Sequence, residues 1–129
     1  MGILKVSRVY DENTKEDGQR ILIDRLWPRG VSKEEAAIDE WAKEITPTNE
    51  LRKQYHEGLI DQDTFFNNYR KELEENEDSP AFVSKVEGYL RVENVTLVTS
   101  VKNISASHVP VLCDFLEKEL GLKHSGKKD

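Results

Sequence analysis

The apolar triplet Ile21-Leu22-Ile23 is the sequence feature that most constrains the fold. A strand with one solvent-exposed face alternates apolar and polar residues, whereas three apolar residues in succession favour a strand that is buried on both faces. Such a strand needs other elements on each side of its sheet. We place it at residues 20–26. Segments rich in Val, Ile, Thr and Tyr predict two further strands at 3–10 and 95–101.

The remaining chain is typical of helices. Ser32 and Glu35 form a capping-box pattern, and Ile38, Trp41, Ala42 and Ile45 then recur at helical spacing, which predicts one helix across them. Further helices are predicted by similar stripes and start signals, at Pro47 to just before Gly58, at about 62–76, from Ser79 to Leu90, and at about 107–120 with Ser107 as its cap.

The predicted order of strands and helices indicates a small α/β fold. The central sheet would have about three or more strands and be covered by several helices, in a single domain over residues 1–122. Residues 123–129 are predicted to be a flexible C-terminal tail. The segment between the first two strands is shorter than a parallel crossover usually needs, and it therefore favours antiparallel pairing of these strands.

The composition excludes several classes of protein. The net charge of −6, from 19 basic and 25 acidic residues, argues against nonspecific nucleic-acid binding. No apolar run is long enough to span a membrane and no signal-peptide pattern is present, so no membrane partner is predicted and a cytoplasmic location is expected. The single cysteine, Cys113, excludes an internal disulfide and is expected to fill the core.

Familiar catalytic and cofactor motifs are missing from the chain. It has no G-x-G-x-x-G, G-x-x-x-x-G-K-[ST], H-E-x-x-H or G-x-S-x-G sequence, and its carboxylates cluster in helix starts and loops. We therefore predict no cofactor and no metal site. The sequence does not indicate an oligomeric state.

Polar and charged residues follow two of the predicted strands. In open α/β sheets, ligands bind beyond the carboxyl ends of the strands. If the strands at 20–26 and 95–101 are parallel neighbours, residues after each would converge on one pocket. These residues are Asp24, Arg25, Trp27 and Arg29 after the first of the two strands, and Ser100, Lys102 and His108 after the other.

Arginine and lysine in such a pocket point to an anionic ligand that carries phosphate or carboxylate. Asp24 would orient Arg25 or act as a base, and His108 would assist proton transfer. If the protein is an enzyme, hydrolysis or transfer at a phosphate or similar centre is the expected class, because the cations would stabilise developing negative charge. Two alternatives stay open: a non-catalytic binding or regulatory module that recognises an anion on a protein or nucleic acid, and a structural charge network.

The sequence also resembles a known family. "DRLWPRG" (24–30), the capping Ser32, "DEW" (39–41) and "ELRK" (50–53) are similar to the YeaO-like branch of the domain of unknown function 488 (DUF488) family. The resemblance extends over about residues 15–115 and implies an α/β fold with no assigned reaction. It strengthens the expectation that Asp24, Arg25, Arg29 and Lys102 form a site. After the last strand the pattern departs from the family, and the equivalence of His108 to a family residue stays open.

Overall fold

The computed structural model describes residues 2–122 and has one four-stranded parallel sheet with the strand order β1-β4-β2-β3. The strands are β1 (Leu4–Arg8), β2 (Gln19–Leu22), β3 (Glu40–Trp41) and β4 (Val95–Thr99). The helices are α1 (Lys33–Ala36), α2 (Asn49–His56), α3 (Gln62–Glu75), α4 (Ser79–Leu90) and α5 (Val109–Leu120), with short 3-10 helices at Lys15–Asp17, Lys43–Ile45 and Ile104–Ala106. The predicted single-domain α/β class is confirmed.

The apolar triplet is buried on both faces, as the sequence predicts. Ile21, Leu22 and Ile23 are each 0% exposed. Ile21 and Ile23 belong to the main core, which the sheet forms with α2 to α5. On the other face, Val98 packs in a smaller cluster with Ala36 and Trp27, so the segment that follows β2 covers that side of the sheet.

The predicted antiparallel pairing of the first two strands is wrong. β4 lies between β1 and β2 and pairs with both of them in parallel. The ten residues from 9 to 18 return the chain with only the short 3-10 helix Lys15–Asp17. An extended chain of that length spans roughly 33 Å, enough to run back along a short strand and across two strand spacings. β2 and the last strand are parallel neighbours, which is the condition under which the residues that follow them were expected to converge.

The single helix predicted from Ser32 through Ile45 is also wrong. The capping box forms, with Ser32 Oγ accepting from the Glu35 amide, but α1 ends at Ala36 and Ala37 adopts a left-handed conformation. The buried Arg20 guanidinium donates to the carbonyls of Ala36 and Ala37 and so satisfies the helix end. The chain then extends, and Glu40–Trp41 adds β3 to the open edge of β2.

The other predicted helices are present with small shifts at their ends. The last helix begins at Val109, and His108 rather than Ser107 occupies its N-cap position, although Ser107 Oγ accepts the Val109 amide hydrogen. Gly121 ends this helix in the left-handed conformation. The predicted flexible tail, 123–129, lies outside the described residues. Among residues 2–122, every helix is too short or too polar to cross a bilayer.

Candidate functional site

Asp24 lies at the centre of the site, just beyond the end of β2. Its Oδ1 accepts a hydrogen bond from the Thr99 hydroxyl at 2.7 Å. Its Oδ2 accepts from the Ser100 amide at 2.7 Å and from the Ser100 hydroxyl at 2.8 Å. The parallel register of β2 and β4 brings these residues together, since both strands end at the same edge of the sheet. Asp24 therefore ties the two strand ends together.

The environment holds Asp24 in its charged form. Burial by itself raises the pKa of this carboxyl, but the neighbouring His108 and the hydrogen bonds from Ser100 and Thr99 outweigh that effect and lower the pKa below the ordinary value of 3.8. A carboxylate with a lowered pKa is a weak proton acceptor at neutral pH. Its geometry suits a structural and electrostatic role better than general-base catalysis.

His108 is buried against Asp24 at the start of α5. Its Nε2 lies 2.7 Å from the Ile23 carbonyl oxygen and 3.5 Å from Asp24 Oδ1. A carbonyl can only accept, so Nε2 carries the hydrogen, and in the neutral ring Nδ1 is the acceptor. The ring is thus fixed in position, and of its two nitrogens it is Nδ1 that has no hydrogen-bond partner within residues 2–122.

A cavity of about 320 Å³ opens beyond Asp24, and we call it the arginine cavity. Three cationic side chains line it: Arg25 and Arg29 from the segment after β2, and Arg52 from α2. Its apolar walls include Leu26, Trp27, Pro28 and Phe65. Asp24 is the one carboxylate among its lining residues. Charges from separate parts of the chain therefore meet around one space.

None of the three arginines is paired with a charged group within residues 2–122. Arg25 donates through Nε to the Pro47 carbonyl at 2.9 Å, with a longer contact to the Thr46 carbonyl. Arg52 donates to the Asn49 side chain at 3.2 Å, and the Arg29 guanidinium has no hydrogen-bond or ion-pair partner within residues 2–122. No carboxylate in that part of the chain forms a salt bridge with any of them, and Asp24 does not orient Arg25.

The other residues that the sequence assigns to the site have different placements. Ser100 lines the arginine cavity, but its amide and hydroxyl are both directed to Asp24. Lys102 is exposed and is not part of the cavity wall. Trp27 is half-buried in that wall, where its indole N–H donates to the Val31 carbonyl. Its ring also packs edge-on against the Trp41 ring, with 5.5 Å between the ring centres.

Two arginines that the sequence analysis did not single out contribute to this edge of the sheet. Arg52 lies in the "ELRK" stretch beside the buried Leu51, but the sequence does not reveal where α2 sits relative to β2. Arg8, at the end of β1, donates to the carbonyls of Ser100 and Val101 and so holds the loop after β4. Its position near the end of the first strand was the sequence signal that could have identified Arg8 as part of this edge of the sheet.

Cys113 is half-buried on α5 and belongs to the core, as expected. Burial, with smaller effects of Glu117 and Asp114, raises the pKa of its thiol to about 12, so its nucleophilic thiolate is scarcely populated at neutral pH. Within residues 2–122, no three His, Cys, Asp or Glu side chains come together in a way that suits a metal ion.

Known proteins provide an independent comparison. The family described as "Inactive DUF488-N3 subclade" matches residues 3–129. The chain is 42% identical to "Uncharacterized protein YeaO" of Escherichia coli K12 over 113 residues, which cover 88% of this chain and 96% of the relative. It is 34% identical to "Uncharacterized protein Rv3073c" of Mycobacterium tuberculosis H37Rv, over 88% of this chain and 92% of the relative. No solved structure matched the chain. The family match and the YeaO identity together show that this chain belongs to the DUF488 family, in the subclade described as inactive.

Proposed function

We propose that this protein binds a small ligand bearing a phosphate or carboxylate group in the arginine cavity, and does so without chemically converting it. The observation that carries this proposal is the lining of the cavity by Arg25, Arg29 and Arg52 without a salt bridge among the described residues. Guanidinium groups that lack carboxylate partners in a concave site are suited to grip an oxyanion by two parallel hydrogen bonds.

The one carboxylate in the wall does not cancel this positive charge. Asp24 already accepts hydrogen bonds from Thr99 and Ser100 and lies beside His108. Its charge is spread over contacts at the base of the cavity, whereas the arginines come from the segment after β2 and from α2. An entering anion would therefore meet an excess of cationic groups in a partly desolvated space, where electrostatic attraction is stronger than in water.

The same geometry argues against hydrolysis or group transfer. A nucleophilic serine needs a base that can take its proton, but the Ser100 hydroxyl donates to Asp24, whose lowered pKa makes it a weak proton acceptor. His108 Nε2 is committed to the Ile23 carbonyl, and Cys113 is not among the cavity residues. The word "inactive" in the description of the family supports the same conclusion.

Calorimetric titration with inorganic phosphate, at low and moderate salt, tests the proposal. Arg29→Ala is the sharpest variant, because Arg29 is exposed and makes no side-chain contact that the fold needs. We expect the parent to bind phosphate, with an affinity that falls as salt rises, and Arg29→Ala to bind about tenfold more weakly.

Arg91→Ala is a matched control, because Arg91 is an exposed arginine at the end of α4, outside the cavity. It should bind phosphate as the parent does. Equal binding by all three proteins, or no binding by the parent to phosphate or to acetate, would refute the proposal. Turnover of a phosphate ester that requires Arg29 would refute its non-catalytic part.

A further inference from the structure

A second cavity adjoins the arginine cavity and has a different character. It measures about 520 Å³, and we call it the aromatic cavity because Tyr55 and Phe65 line it. Arg52, Phe65, Val101 and His108 line both cavities, so the two spaces meet at these four side chains. A phosphate ion would fill only part of this volume, whereas sites of this size commonly enclose whole organic ligands.

The walls of the aromatic cavity suit a flat ring with a few polar atoms. Tyr55 and Phe65 lie parallel with their ring centres 4.1 Å apart, which makes a rigid aromatic wall, and Val101 and Ala106 extend its apolar surface. The hydroxyls of Tyr55 and Ser107 already donate to the carbonyls of Ala106 and Ile104. His108 Nδ1 and the exposed ring of His56 remain available to hydrogen-bond a heterocycle.

We propose, on the basis of the proposed anion site, that the ligand is a nucleoside monophosphate. Its phosphate lies among Arg25, Arg29 and Arg52, and its base occupies the aromatic cavity. Arg52 stands where the two cavities meet and would contact the ligand between its charged and aromatic ends. Bases gain affinity from contact with aromatic side chains for any base identity, so the wall itself does not select one base.

The free nucleotide is favoured over the end of a nucleic-acid chain. The protein carries a net charge of −6, and the phosphates of a polymer would meet this repulsion beyond the cavity. A mononucleotide places its one phosphate group at the arginines. A phosphorylated RNA 5′ end would present the same phosphate and base to the two cavities, so the experiment tests both a free nucleotide and a short RNA.

Calorimetric titration of the full chain with five probes tests the inference: inorganic phosphate, ribose 5-phosphate, AMP, UMP and a 5′-phosphorylated tetraribonucleotide. We expect AMP and UMP to bind roughly tenfold or more tightly than ribose 5-phosphate, which lacks the ring. The tetranucleotide should bind no more tightly than AMP. If phosphate and ribose 5-phosphate bind as well as AMP, the inference fails while the anion site stands; if no probe binds, both fail. Tighter binding of the tetranucleotide would overturn the assignment to a free nucleotide.

Filling the aromatic cavity gives a second test. Ala106 is half-buried in its wall, and Ala106→Leu would place extra carbon atoms where we put the base. We expect Ala106→Leu to lose the advantage of AMP over ribose 5-phosphate and to bind inorganic phosphate as the parent does, which also checks that the variant is folded. Unchanged AMP binding by a phosphate-binding Ala106→Leu protein would contradict the placement of the base.

Discussion

The Ser100 hydroxyl lies 2.8 Å from the Asp24 carboxylate and joins residues that are 76 positions apart in the chain. The Ser100 amide and the Thr99 hydroxyl bind the same carboxylate. Because these groups come from the neighbouring ends of β2 and β4, one side chain fixes the floor of the arginine cavity. The relationship explains why a charged residue directly follows a wholly buried strand.

Replacing Asp24 by asparagine should destabilise the fold. The amide group has one acceptor oxygen, so at least one donor from Thr99 or Ser100 would lose its partner in a buried site. We expect the free energy of unfolding in urea to fall by roughly 1–3 kcal/mol. Asp114→Asn is the control, since Asp114 is half exposed in a long ion pair and its loss should cost less than about 1 kcal/mol. Equal effects of the two substitutions would contradict the role of Asp24.

The contribution of Asp24 should also depend on pH. Its pKa is lower in the folded protein than the ordinary 3.8, so its stabilising effect is complete above about pH 4 and is lost as pH falls through the folded pKa. The difference in unfolding free energy between parent and Asp24→Asn should therefore shrink between pH 5 and pH 2.5, measured by urea unfolding across that range. A constant difference would mean that the carboxylate charge is not what stabilises the strand ends.

Replacement of Arg52 should weaken phosphate binding much more than replacement of Lys102. Arg52 lines the arginine cavity, whereas Lys102 is exposed outside its wall. Arg52→Ala should weaken phosphate binding about tenfold, the usual scale for losing a hydrogen bond to a charged group. Lys102→Ala should change it less than twofold at moderate salt, because exposed charges outside a site are largely screened. A larger effect of Lys102 in the same titration would restore the role that the sequence suggested for it.

Cys113 should be a poor nucleophile in the folded protein. Its thiol has a pKa raised to about 12, mainly by burial, and alkylation requires the thiolate. We expect iodoacetamide at pH 8 to modify the native protein about 100-fold more slowly, or slower still, than the urea-unfolded protein. The reason is that the raised pKa lowers the fraction of thiolate in the folded state. Mass spectrometry follows the reaction, and similar rates in the two states would show that the thiol is accessible and ionised.

Two glycines should differ in their tolerance of alanine. Gly18 has a φ of +63°, and a Cβ there would lie 2.0 Å from the Asn94 carbonyl oxygen. Gly30 has a φ of +75°, with open space around the same position. Gly30→Ala should cost about 1 kcal/mol of unfolding free energy from backbone strain alone, whereas Gly18→Ala should cost several kcal/mol or prevent folding. Thermal unfolding distinguishes the two, and equal stability would contradict the close approach of Gly18 to the chain before β4.

Strands and helices of this protein can be predicted from the sequence more reliably than the contacts that they make with distant parts of the chain. The burial of Ile21 to Ile23 was predicted, whereas the meeting of Asp24 with Ser100 and His108 was expected only if β2 and β4 were parallel neighbours, which they are. The short β3 was missed because Trp41 and Ala42 also fit a helical stripe. The contacts that end α1 come from Arg20, which is distant in sequence.

The same limit applies to the candidate site. Arg25 and Arg29 belong to one continuous segment, so their presence in one cavity could be anticipated from the strand end. Arg52 reaches that cavity only because α2 lies beside it, and the Pro47 carbonyl just before α2 accepts a hydrogen bond from Arg25. Lys102 follows β4 directly, yet the loop turns it to solvent.

The position of β4 has a consequence for synthesis of the chain on the ribosome. β1 and β2 emerge early, but each pairs with β4, whose residues are 95–99, and not with the other. A nascent chain therefore cannot complete this sheet until residues 95–99 have been translated. Such distant pairing slows folding, and until it occurs the apolar residues of β2 lack β4 as their neighbouring strand.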